Sequence, residues 1–89
     1  MSLTGDEARV LAALRGGAEL LRHLRPTGRG PYYTLAGRRL SVVTVKGLEG
    51  RGLIALEGGP GQARATYALT ERGGAALGEW EERRSLDLP

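Results

Sequence analysis

The sequence contains no cysteine, which excludes disulfides, thiolate chemistry and cysteine-ligated zinc. Phenylalanine is also missing, and three tyrosines and one tryptophan are the only aromatic side chains, so a core must be built from Leu, Val and Ala. Histidine occurs once, at His23, and with neither a second imidazole nor a thiol a metal site lacks ligands. No nucleophile–base pair, paired-carboxylate site or phosphate loop has its residues here; the expectation is a protein that binds, with no catalytic residue and no cofactor. No apolar run reaches the roughly 18 residues of a membrane span, and Met1 to Arg15 has no basic segment leading into a long apolar stretch. The reading is therefore a cytoplasmic protein with no membrane partner.

What remains is rich in Gly, Ala, Arg and Leu, with Lys46 the one lysine. Such usage fits a GC-rich genome, which weakens Arg-rich stretches as functional signals. At 89 residues the chain has the size of one domain, with a short tail at about 85–89. The formal net charge of +3 and a pI near 10.0 favour a polyanionic partner.

Thr4, Asp6 and Glu7 supply a cap and first-turn acids ahead of Ala8, Leu11 and Ala12 at helical spacing, predicting a helix from about Asp6 to Arg15 that Gly16 and Gly17 end. Residues 18–25 fit either a strand or a short helix. The turn cluster Pro26 to Pro31 and the strand-like Tyr32-Tyr33-Thr34-Leu35 favour a hairpin of 18–25 with 31–36. Gly37 reads as a break. Val42, Val45 and Leu48 then recur every three residues, giving a helix over 41–51 with Ser41 as N-cap and Gly52 as C-cap. Leu53 to Glu57 and Ala63 to Leu69 read as a second hairpin about the Gly58-Gly59-Pro60-Gly61 turn. Thr70 caps a last helix carrying Leu77, Trp80 and Arg84, on which Glu79 and Arg83 are spaced for an ion pair. The fold class is thus α+β in the order α-β-β-α-β-β-α, or α-α-β-α-β-β-α if 18–25 is helical.

The run "LEGRGLIAL", a Gly-rich hairpin tip and "YALTERGGAAL" together resemble the second half of winged-helix regulators of the MarR and PadR type. Leu48, Glu49, Arg51, Gly52, Leu53, Ile54, Tyr67, Leu69, Thr70, Glu71 and Gly73 carry the resemblance, which spans roughly half of the chain. It implies a small winged-helix domain that binds duplex DNA and regulates transcription, with a homodimer formed through the last helix. The first half departs from that pattern, because a Tyr-rich stretch stands where the supporting helix belongs.

On that implication the Ser41 end of helix 41–51 approaches the major groove, with Arg38 and Arg39 before it and Thr44 and Lys46 on its outer surface. The wing, 58–64, offers Gln62 and Arg64 to a minor groove or a phosphate. Arg29 at the first hairpin's tip and Tyr32 are additional contacts. Successive strand residues face opposite ways, so of Tyr32 and Tyr33 only one enters the core. Base-reading Arg, Asn or Gln side chains are missing from the helix. A protein partner gripped by the same frame is the alternative to DNA.

Overall fold

Thr4 opens the first helix with a capping box: its hydroxyl accepts from the Glu7 amide at 3.1 Å, and the Glu7 carboxylate accepts from the Thr4 amide at 2.9 Å. In a computed structural model of the chain, which describes residues 3–25, 28, 30–57 and 64–87 (backbone alone for Arg64 and 85–87), this helix is α1, Gly5–Arg15. Gly17, at φ 99°, ends it by the left-handed route available to glycine.

The strand reading of 18–25 holds. β1 (Leu20–His23) pairs antiparallel with β2 (Tyr32–Leu35), Leu20 opposite Leu35 and His23 opposite Tyr32. The sequence did not point to what comes next. Gly37 does not end the sheet; Ala36 (φ 51°) and Gly37 (φ 83°) form a two-residue turn with positive φ at both positions, as a tight hairpin requires. Arg38–Leu40 return beside β2 as a third strand, β3. Arg38 and Arg39 are thus strand residues on a sheet edge, where the sequence placed them in the approach to a helix.

α2 follows as Val42–Gly50. Ser41 holds the N-cap position but makes no side-chain capping bond, which corrects the role expected of its hydroxyl. Arg51 is the C-cap and Gly52 lies one residue beyond it at φ 74°. The Gly52 amide donates to Glu49 O and the Leu53 amide to Leu48 O, the paired bonds of a Schellman ending. β4 (Ile54–Glu57) and β5 (Arg64–Leu69) form the second hairpin, and α3 (Glu71–Asp87) closes the chain, extending into the stretch read as a tail.

These elements make a compact α+β domain of three helices and one antiparallel five-stranded sheet, ordered β3-β2-β1-β5-β4. One sheet face, with Leu20, Tyr33, Ile54 and Tyr67, packs against Val10 and Leu11 of α1, Val45 and Leu48 of α2, and Leu77 of α3. Thr70 ties the second half together. Its hydroxyl accepts from the Gly73 amide at 3.0 Å, the N-cap bond the sequence predicts, and donates to Gly52 O at 2.6 Å. Gly73 is needed because α3 crosses β4 closely: a Cβ there would lie 2.0 Å from Leu53 O and 2.8 Å from Leu69 Cδ1. Arg51 joins the halves through Glu7, the acid of the capping box, and its Nε donates to Gly47 O at 3.0 Å.

Candidate functional site

Strand register brings separate segments to one end of the sheet. His23, last in β1, stands opposite Tyr32, first in β2, and opposite Arg64, first in β5. Leu40, last in β3, stands opposite Tyr33. Leu24 and Arg25 after β1, Pro31 before β2, the β3–α2 junction at Ser41, and the facing ends of β4 and β5 at Glu57 and Arg64 therefore share that end. Of the acidic side chains, Glu57 reaches it on β4, opposite Thr66.

Pleat alternation then divides these residues between two faces. Tyr33 is 2% exposed and belongs to the core, so Tyr32 is the tyrosine left outside. With it on the outer face, by alternation and register, stand Leu21, His23, Thr34, Arg39 and Thr66. None of these is buried, and the three helices all pack on the opposite face.

The outer face is organised around Tyr32. The His23 ring stacks on it with centroids 4.6 Å apart and planes 11° from parallel. Arg39 lies over the Tyr32 ring at 4.6 Å and Arg25 at 5.1 Å. A hydrogen bond of 2.8 Å between His23 Nε2 and Thr34 Oγ1 fixes the imidazole. Each guanidinium gains cation–π attraction of about 0.5–1 kcal/mol at an exposed site of this kind.

The other predicted residues are distributed around α2. Ser41 and Lys46 are exposed and Thr44 is half-buried. Ser41 and Thr44, with Arg9 and Asp6 of α1 and Arg38 and Arg39 of β3, line an open groove of about 450 Å³ beside the first turn of α2. Val42, which its spacing assigned to the core, is 43% exposed, and its neighbour Val43 is 81% exposed. The inward stripe of this short helix begins a turn later, at Val45 and Leu48. Gln62 and Arg29 lie outside the described residues, as does the rest of the wing tip; Arg64 is placed by its strand register alone.

Two residues of the outer face, His23 and Arg25, escaped the sequence reading. As a lone imidazole His23 gives no metal-site signal; what points to it is the hairpin itself, whose register sets it opposite Tyr32. Nothing in the sequence singles out Arg25. Away from this end, burial pushes the Tyr67 phenol well above its ordinary range, with the Glu49 carboxylate adding to the effect. On α3, Arg84 lies 4.9 Å from the centre of the Trp80 ring, and Trp80 packs against the core. The ion pair of that helix joins Glu81 to Arg15 of α1 by two bonds of 2.8 Å, raising the Arg15 pKa and lowering that of Glu81. Compared with protein-family models, curated proteins and solved structures, the chain matches none. No helix among the described residues is long and apolar enough to cross a membrane.

Proposed function

We propose that the chain is a non-enzymatic nucleic-acid-binding protein of winged-helix type that grips duplex DNA through the end of the sheet where α2 begins, and acts as a small regulator of transcription. The observation that carries this reading is that Arg39 and Ser41 line one groove at the start of α2, at the end of the sheet where Arg64 begins β5, in a chain with net charge +3. Phosphates attract such a cluster irrespective of sequence. Ser41, free of a capping role, and the first amides of α2 suit a phosphate oxygen, and Lys46 adds a cation one turn further on. The exposed Val42 and Val43 suit apolar contact with a thymine methyl better than hydrogen-bonded base readout, so affinity is expected to exceed sequence discrimination.

Those two valines also favour a second reading, in which α2 docks on another protein, because an apolar pair on a short exposed helix is a natural protein contact. Salt dependence separates the two. Log affinity for duplex DNA should fall steeply with log salt, and the Lys46→Ala, Arg64→Ala double variant should lose roughly one unit of slope per phosphate contact removed, equally on unrelated duplexes. Absence of duplex binding at low salt would rule out the DNA reading in favour of the protein partner.

A further inference from the structure

The uncovered face of the sheet presents a chemistry that α2 does not. Two guanidinium groups, from Arg25 and Arg39, lie within 5.1 Å of one ring centre, and neither forms an ion pair with a described carboxylate. The nearest acid placed on this face by register, Glu57, stands on β4, beyond β5 from His23. Like charges gathered without a paired carboxylate repel, and the Tyr32 ring quadrupole offsets part of that repulsion, while Asp6 is the acid that borders the same groove as Arg39. An arginine lying over an aromatic face still presents its N–H edge outward, the geometry that holds a phosphate by two parallel bonds.

We propose that Arg25 and Arg39, held on the Tyr32–His23 stack, form a phosphodiester-binding site for a nucleic-acid strand on the sheet face opposite the helices, with Arg39 at the margin where that face meets the groove beside α2. The site rests on the nucleic-acid reading above and deepens it, because it adds a second contact line across β3, β2 and β1. The platform is assembled before ligand arrives: the Thr34 hydroxyl fixes His23, His23 fixes Tyr32, and Tyr32 restrains both arginines. Ordering two arginine side chains beforehand removes part of the entropic cost of binding. Tyr32 is accordingly a positioning residue, whereas the two guanidinium groups touch the ligand.

The single imidazole of the chain supplies a local readout. The Cε1 proton resonance of His23 can be followed by NMR during titration with a duplex oligonucleotide and, separately, with an unpaired one, alongside affinity measured by fluorescence anisotropy. The His23 signal should move and saturate with the same midpoint as the anisotropy. In Arg25→Ala, Arg39→Ala protein the affinity should fall by about tenfold or more at moderate salt and the salt slope by about two units. Tyr32→Leu should lose affinity while the salt slope changes little, because the charges remain and only their placement is lost. A duplex that binds tightly with the His23 resonance unmoved overturns the site and leaves the nucleic-acid reading standing; no binding of either oligonucleotide overturns both. Movement with the unpaired strand alone supports the site and identifies a single strand as its source of phosphodiester. The titration of the unmodified chain decides the matter even if a variant fails to fold.

Discussion

The two faces of the sheet are built on different terms. The helix-covered face is apolar and tightly keyed, with Tyr33 and Tyr67 tilted against each other at 6.1 Å and the α3 backbone resting on that of β4 through Gly73. Its polar exception is Arg22 Nε, which is buried without a partner among the described residues. The open face carries polar, aromatic and cationic side chains, with Leu21 among them, that touch across strands and are half-buried or exposed. On the proposed reading, stability and binding chemistry are divided between opposite sides of the same strands. Substitutions on one side should act on folding, and those on the other on ligand.

The sharpest way to break that division is Gly73→Ala. A methyl group there meets a backbone carbonyl that is already accepting from the Thr70 amide, so α3 must move off β4. A loss of about 3 kcal/mol is expected, measured by urea denaturation. Next is Thr70→Ala, which removes the cap of α3 and leaves Gly52 O short of a donor; about 2 kcal/mol should be lost, while Thr70→Ser, which keeps both bonds, should stay near the parent. Arg39→Ala lies at the other extreme. Thermal unfolding should change by less than about 0.5 kcal/mol, since the side chain is exposed on an edge strand, and a larger loss would mean the open face also supports the fold.

The covered face was largely legible in the sequence, because caps, glycines and apolar periodicity are local signals. Thr4 with Glu7, Thr70 ahead of Gly73, and Gly52 after α2 each act within a few residues of chain. The open face was legible only in part. Alternation implies that one of Tyr32 and Tyr33 faces outward, but its partners are set by register across three strands. β3 was missed for a related reason. Two-residue hairpin turns favour Asn or Gly where φ is positive, and Ala36 gives no such warning. Without that strand, Arg38 and Arg39 read as neighbours at a helix entrance; both do border the groove at α2, but the pleat aims them to opposite faces, so that Arg39 alone also lies over Tyr32. Val42 was assigned inward because spacing alone does not tell where a short helix first meets the sheet.

The two outer strands of the sheet also differ in how they meet other molecules of their own kind. β3 is three residues long and carries adjacent arginines, so a second β3 drawn alongside it would bring four guanidinium groups together. β4 presents Ile54-Ala55-Leu56-Glu57, with a single charge at its far end. One margin of the molecule is guarded against edge-to-edge polymerisation and the other is nearly bare. Aggregation under concentrating conditions should begin at β4, and an added lysine at the exposed Ala55 is the substitution best suited to suppress it.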